Sequence, residues 1–453
     1  MTTPRGLLLA SFLLLAGCAT TLEQGAATEL GQHEHAVKHP EQPETDMRAA
    51  CDFDGTLSRY QTCALEQSPE LRATFEEWRA ATHRISRARR LPEPTFTYAY
   101  FVRSVETRVG PQRHKFGISQ AFPWPTKLSA GADAASLAAR SAREQYEASA
   151  LQVARRVAEA YWKLWAIQKT RQVQRDQKKL LQQLSALARS RVEIGQSGLA
   201  DLGQIDLSVS RMDDLLSGLD EAERAARAEL VAAVGADPET PTPVVDRPPR
   251  ILRVAEDEKS LRSAVVSHPR IQAIGSMAEA QQQRARAVGA DRYPDFVLGA
   301  EYIETGPANA SGVPESGKDP IIVSVAVKLP LWGGLYADEE DEALAQSAAF
   351  RARQSAAQDQ AEAALEKAMS DVRDSARRVL LYRQTLVPQA QTVFESVLGG
   401  YQAGTSTVAS MLLAERDLLE LQLDEFKAQA DHAVALARLE ALVGRPVRLE
   451  AVR

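Results

Sequence analysis

Two rhythms of hydrophobic positions follow one another along this chain, and the pair comes round twice. Residues 57–91 place Leu65, Leu71, Phe75, Trp78 and Ile85 at helical spacing. Leu91-Pro92-Glu93-Pro94 closes that helix. The period then drops to two. Phe96, Tyr98, Tyr100 and Val102 alternate with Thr95, Thr97, Ala99 and Arg103, which predicts a strand over about 95–104. Gly110 and Pro111 turn the chain, and Phe116, Ile118 and Phe122 alternate with Gly117, Ser119 and Ala121 in a strand over about 114–122. The helical period returns at about 126–192, where no proline and only Gly131 interrupts. At 1.5 Å per residue such a helix reaches about 95–100 Å, too long for a compact domain. Its Ala, Gln, Arg, Glu and Leu content and narrow apolar stripes suit coiled-coil packing. A turn over Glu193–Gly198 leads into a partner helix at about 199–234.

The second passage follows the same order. A helix is expected at about 257–290, then strands at about 295–304 and 320–329. Phe296, Leu298, Ala300 and Tyr302 share one face. Ile321, Val323, Val325, Val327 and Leu329 face the same way, opposed by Ser324, Ala326 and Lys328. The Gly-, Pro- and Ser-rich loop Gly306–Pro320 holds the extra length. Helices follow at about 336–399, where Pro388 predicts a kink or gentle bend, and at about 408–443. Landmarks keep register: Pro69-Glu70-Leu71-Arg72-Ala73 recurs as Pro269-Arg270-Ile271-Gln272-Ala273, Pro94 as Pro294, Pro123 as Pro330, and Gly195 as Gly404. One structural unit is used twice.

Strands of about 9–11 residues with one apolar and one small or polar face fit the wall of a transmembrane barrel. No apolar run is long enough for a transmembrane helix, so a membrane crossing requires a closed sheet. Four strands have edges that hydrocarbon forbids. Several chains must share one barrel, and three would supply twelve strands. The fold class is therefore mostly α with a transmembrane β part, internally duplicated, with four strands and very long coiled-coil-like helices per chain.

The N-terminus adds an address. Arg5 precedes an apolar run, Leu7–Leu15, and Leu15-Ala16-Gly17-Cys18 follows, as in a secretory signal over residues 1–17. The Leu-Ala-Gly-Cys segment resembles the bacterial lipoprotein box, which would lipidate Cys18; an ordinary cleaved signal is the alternative. Residues 18–56 read as a lipid-anchored polar linker unable to bury a core. Within it, His33, His35 and His39 form a loose cluster, read as incidental in preference to a metal site. Cys51 and Cys63 are a candidate disulfide in an oxidising compartment, worth roughly 2–3 kcal/mol if closed; two free thiols are the alternative. Asp52-Phe53-Asp54-Gly55-Thr56 resembles the first motif of haloacid dehalogenase phosphohydrolases, but no buried strand precedes it, so a turn leading into the first helix is expected. Net charge is −6 with both signs well mixed, which leaves no nucleic-acid footprint.

The order helix, hairpin, long helix pair, twice over, resembles the outer membrane efflux protein family typified by TolC, across roughly residues 57–445. The resemblance rests on Ser68-Pro69-Glu70-Leu71, Leu91-Pro92-Glu93-Pro94, Ser119-Gln120-Ala121-Phe122-Pro123-Trp124-Pro125, Pro330-Leu331-Trp332-Gly333-Gly334, Tyr401-Gln402-Ala403-Gly404 followed by Leu412, Ala414 and Glu415, and Leu442-Val443-Gly444. The lipobox resembles the lipidated branch, and Phe-Pro-Trp-Pro-Thr-Lys its heavy-metal members. The resemblance implies a homotrimer with a twelve-stranded β-barrel in the outer membrane and a periplasmic α-helical barrel. It implies an adaptor (membrane fusion) protein and an RND-type inner-membrane pump as partners, outer-membrane lipid around the barrel, and passive conduction of small solutes such as metal ions or drugs. No catalytic residue, metal or cofactor is expected beyond lipid on Cys18. A type I protein-secretion duct and a non-conducting structural lipoprotein are the alternatives.

By the same resemblance the helix-hairpin tips form the periplasmic gate and adaptor contact. These map onto Arg191, Gly195, Gly198, Leu199, Asp201 and Leu202 in one repeat and Tyr401, Gly404, Val408 and Met411 in the other. The acidic pair that some members carry after the second tip falls here on Ser410 and Leu413, so that ring is absent; Asp201 is either a single lumen carboxylate or a helix-cap residue. Asp206 and Glu415, equivalent in the repeat, are expected to pair structurally. Tyr161, Trp162 and Trp165 are expected to pack as core. The domains read as 57–246 for repeat one and 247–447 for repeat two, with 448–453 a C-terminal tail.

Overall fold

A computed structural model describes residues 21–36, 51–244 and 246–452. Cys18, the signal segment 1–17, His39 and the side chain of His35 lie outside the described residues. The helices are α1 (Thr21–Ala36), α2 (Leu57–Gln67), α3 (Pro69–Arg89), α4 (Pro125–Glu193), α5 (Leu199–Val234), α6 (Glu258–Val266), α7 (Pro269–Gly289), α8 (Gly333–Leu381), α9 (Val387–Ala403) and α10 (Val408–Val443). The strands are β1 (Thr95–Tyr100), β2 (Glu106–Thr107), β3 (Gly110–Phe122), β4 (Leu252–Val254), β5 (Asp295–Thr305), β6 (Ile321–Lys328) and β7 (Leu449–Ala451). The chain is mostly helical and duplicated, and it divides into two compact units. One holds α1, Glu76–Glu144 and Gln272–Gln354; the other holds the chain from Cys51 to Phe75, Gln145–Ile271 and the chain from Ser355 onward.

The first unit corrects the linker. Residues 21–36 are a helix, not a featureless tether. Its inward stripe is Glu23, Ala26, Leu30 and His33, at helical spacing but poor in hydrophobic side chains. Ala26 packs against Ala81, Ile85 and Ala139. Glu23 pairs with Arg89 at 2.7 Å, and Glu29 with Arg143 at 2.6 Å. The His33 ring stands 5.3 Å from that of Trp78. Charges and one aromatic contact replace the apolar rhythm that would have announced the helix.

In the second unit, the two helices expected over 57–91 and 257–290 are each broken. Pro69 and Pro269 disfavour helical geometry at the residue before them and start new helices at the first helical position. Ser68 and His268 fill the gaps. The Ser68 N–H donates to the Ala64 carbonyl, and His268 Nδ1 accepts from the Arg270 N–H at 3.1 Å. Each break seats the glycine that ends its own repeat. Gly235 (φ 82°) and Gly444 (φ 79°) are left-handed C-caps, and a Cβ on Gly235 would meet Pro69 Cδ at 2.8 Å.

Here α4 runs unbroken for 69 residues, but its counterpart does not. Between α8 and α9 a π-turn spans Tyr382–Leu386, directly before Pro388. Proline has no N–H to give the preceding turn and its ring crowds that turn's carbonyl; the wider π-turn relieves both. The C-terminal tail is also corrected. Leu449–Ala451 pairs antiparallel with Leu252–Val254, and Leu252, Val254 and Leu449 cover the core made by Leu261, Val265, Leu365, Val372, Leu439 and Val443.

A second core gathers Phe53, Tyr60, Val157, Tyr161, Leu164, Leu230 and Val234. Phe53 stacks on Tyr60 at 4.3 Å, and Cys51 is bonded to Cys63. The Asp54 carboxylate accepts from the Thr56 N–H and hydroxyl at 2.8 and 2.7 Å, and Thr56 caps α2. The Asp52–Thr56 motif is thus a capping turn. Tyr161 and Trp165 are buried core, Tyr161 donating to the Gly55 carbonyl at 2.9 Å and Trp165 meeting Phe426 edge-on.

The small β4–β7 clasp leans on a buried histidine. His432 is fully buried; its Nε2 accepts from the Leu252 N–H at 3.1 Å, and its Nδ1 lies 3.0 Å from the Ser375 hydroxyl. Burial lowers its pKa from 6.5, with backbone contacts opposing. The unfolded chain therefore takes up the proton first as pH falls, so this contribution is full above pH 6.5 and is lost below it, toward the lower folded pKa. Protonation would also aim an N–H at the Leu252 N–H. His268, likewise lowered by burial, adds the same sign, whereas Glu415 and Glu440, raised by burial, add the opposite one. Comparison with His432→Gln isolates the single group: the wild-type thermal midpoint should fall by several degrees more than the variant's between pH 7.5 and 5.0, as read by circular dichroism in detergent.

Candidate functional site: a two-faced sheet and paired hairpin tips

The strand order β1-β3-β5-β6 is antiparallel throughout, with β2 folded onto β3. The register sorts the side chains. Phe96 lies opposite Ile118, Tyr98 opposite Phe116, Phe116 opposite Tyr302, and Tyr302 opposite Ile321. Apart from Gln120, His114 and Glu304, that face is aromatic and aliphatic, and it is bare: Phe96 is 69%, Ile321 75% and Val323 79% exposed. Gln120 falls on that face, and its amide donates to the Pro92 carbonyl at 2.7 Å. The other face carries Thr97, Ala99, Lys115, Gly117, Ser119, Gly299, Glu301 and Ser324. Among the described residues β1 and β6 each have one neighbour, so both outer edges are open.

Strand bounds differ from the expectation at one hairpin. β1 ends at Tyr100, leaving Val102 88% exposed beyond it, and β3 begins at Gly110. The intervening chain folds back as β2. Gly110 (φ 140°) makes this possible, because any Cβ there would strike the Gly306 carbonyl oxygen. At the other end of the sheet Lys127 bridges Asp291 and Asp295 at 3.1 and 2.7 Å, and Trp124 stacks on Tyr293. Trp332 and Leu331 beside it are 70% and 76% exposed.

Among the described residues no helix is long and apolar enough to cross a membrane.

The hairpin tips come together in the second unit. Gly195 (φ 75°) and Gly404 (φ 83°) make the turns. Arg191 donates one guanidinium N–H to the Tyr401 carbonyl at 2.7 Å and another to the Gln402 carbonyl, and it lies 5.0 Å over the Tyr401 ring. Beneath it Tyr401, Val408 and Met411 pack with Leu184, Ala188 and Ile205, flanked by Leu202. The Tyr401 hydroxyl is buried without a partner. Of the expected tip residues, Arg191, Leu202, Tyr401, Val408 and Met411 therefore share one cluster. Gly195, Gly198 and Leu199 stay at the surface, Leu199 76% exposed. Asp201 accepts from the Ser197 hydroxyl at 2.8 Å in the first turn of α5, whose N-cap, Gly198, makes no side-chain capping bond. Ser410 bonds the cap residue Thr407, and Leu413 is 59% exposed.

Asp206 and Glu415 do pair, but with non-equivalent partners. Asp206 accepts from Ser185 at 2.5 Å within its own hairpin, whereas Glu415 accepts from Gln177 on α4 of the other repeat. Burial pushes the Glu415 carboxyl up and the Gln177 bond opposes it. Close by, Leu207, Met212, Leu215, Leu412, Leu413 and Leu419 line a groove of about 750 Å³ between α5 and α10. The Arg191 acceptors and Gln177 were not foreseen. Backbone carbonyls carry no residue signature, and a glutamine in a Gln-rich helix stands out from nothing.

A two-faced, open-edged sheet joined twice to long helical hairpins is a specific combination. The sequence profile of the outer membrane efflux protein family matches residues 62–236 and 261–445, once in each half. The chain belongs to the outer membrane efflux protein family. Over 261 residues it is 24% identical to outer membrane efflux protein BepC of Brucella suis biovar 1 (strain 1330), a match spanning 57% of this chain and 56% of BepC. The structure is similar to the outer membrane protein VceC of Vibrio cholerae, with a TM-score of 0.70, 20% identity, and coverage of 86% of this chain and 97% of VceC. It is similar as well to the open state of the MtrE outer membrane channel of Neisseria gonorrhoeae, with a TM-score of 0.68, 15% identity, and coverage of 86% and 89%. At these identities the structural likeness establishes the fold, and the family membership rests on the paired profile match.

Proposed function

We propose that this family member is the outer-membrane conduit of a tripartite efflux system, passively conducting small solutes, metal ions or drugs, delivered by an RND-type inner-membrane pump through a periplasmic adaptor. The carrying observation is the four-stranded sheet that is apolar over most of one face and unpaired at both edges. Bare ladder edges in hydrocarbon cost several kcal/mol per unsatisfied group, so β6 of one copy pairs with β1 of the next, and three copies close a twelve-stranded barrel. The groove between α5 and α10, with Leu207, Leu215 and Leu413 half exposed or more, suits coiled packing against a neighbouring copy. The Arg191–Tyr401 tip cluster is the periplasmic gate. Lipid on Cys18 alone would bind the membrane only reversibly, and the barrel is the second attachment that makes the anchoring stable.

Purified full-length protein in planar bilayers tests the reading. Discrete ion-conducting channels are expected; a silent bilayer, with trimers present, would favour a structural lipoprotein. Cys18→Ser should lose labelled palmitate while still yielding channels, and equal labelling of that variant would remove the anchor from the account.

A further inference from the structure

On the polar face of the sheet many side chains are small, Ile303, Ile322 and Val297 are aliphatic, Asp295 and Lys328 mark one end, and one acid–base pair lies between. Lys115 Nζ lies 2.8 Å from a Glu301 carboxylate oxygen, both side chains about a third exposed. They are not direct partners in the ladder: Glu301 sits opposite Gly117, and Lys115 opposite Ile303. The pair is a diagonal one, within the reach of long side chains. The glycine leaves open the space that the carboxylate crosses; a Cβ on Gly117 would stand in ordinary contact, 3.6 Å from Glu301 Cγ. The sequence places an acid and a base at one level of an otherwise uncharged stretch, beside their ladder partners Ile322 and Ile303 and near Thr97, Ser119 and Ser324.

We propose that the Lys115–Glu301 pair sets the charge selectivity of the conduit's wall by holding one level of the lumen at zero net charge. The inference rests on the reading above, in which the polar face lines the lumen and three copies surround it. Each copy then contributes one positive and one negative group to a six-membered ring. Rings of like charge select ions by sign, whereas an alternating ring lets both signs pass. Removing either partner converts the ring to three uncompensated charges of one sign.

The test records reversal potentials under a potassium chloride gradient, with the full-length protein carrying Arg191→Ala so that the tips do not limit current. Glu301→Gln should raise the chloride-to-potassium permeability ratio about threefold, and Lys115→Gln should lower it by about the same factor, the scale of one unit charge acting at close range in water. The swapped double variant Lys115→Glu/Glu301→Lys keeps the pair and should return the parent's ratio. Single variants that conduct with the parent's ratio would overturn the proposal and leave the conduit intact. A parent that conducts nothing would overturn the conduit reading, and this proposal with it.

Discussion

Replacing Arg191 by alanine is expected to raise the open fraction of the channel about 10- to 100-fold. The guanidinium ties the first hairpin tip to the second through the carbonyls of Tyr401 and Gln402 and lies over the Tyr401 ring. A hydrogen bond from a charged donor contributes about 1.5–3 kcal/mol, and a cation over an aromatic face about 0.5–1 kcal/mol. A loss of about 1.4–3 kcal/mol from one state of a two-state equilibrium moves it by one to two decades. The fold should survive, because Leu184, Ile205, Val408 and Met411 still pack under the tip. Arg191→Lys separates charge from geometry: a lysine cannot fork to two carbonyls, so its channels should open to an intermediate degree. Single-channel recording gives the open fraction, and thermal midpoints establish that the variants are folded. An open fraction equal to wild type would remove Arg191 from the gate.

The boundaries of α5 and α10 were legible because their ends are punctuated. Gly235 and Gly444 stop them in left-handed caps, and Gly198 and Thr407 start them in extended backbone. The sheet was legible because a wall with two different solvents imposes a strict period of two. What escaped did so for physical reasons. The inward stripe of α1 holds Glu23 and His33, so helical periodicity was present in burial but absent in hydrophobicity. The breaks at Pro69 and Pro269 interrupt the backbone without interrupting the apolar stripe, since Leu71 resumes where Leu65 leaves off. Three-residue strands such as β4 and β7 are too short to show a period at all. At the tips, the glycines that shape the turns were visible, but Arg191 works on main-chain carbonyls, which no side-chain pattern reports.

The largest expected effect on assembly separates two neighbouring positions on β6. Val323 stands on the bare apolar face, paired with Ala300; Ser324, one residue on, stands on the polar face, paired with Gly299. An arginine on the lipid face near mid-membrane costs about 2–4 kcal/mol per site. Three copies multiply that, so Val323→Arg should abolish recovery of heat-resistant trimers from the outer-membrane fraction. Ser324→Arg points its guanidinium into a water-filled lumen, where the same group costs little. Its trimers should form at near wild-type yield and show lower conductance, because three long side chains narrow the passage. Steric and propensity effects are similar at adjacent positions on one edge strand, so the contrast depends on which solvent each face meets. If the two variants assembled equally well, or if Ser324→Arg were the one that failed, the sheet would not be a membrane wall with its apolar face turned to lipid.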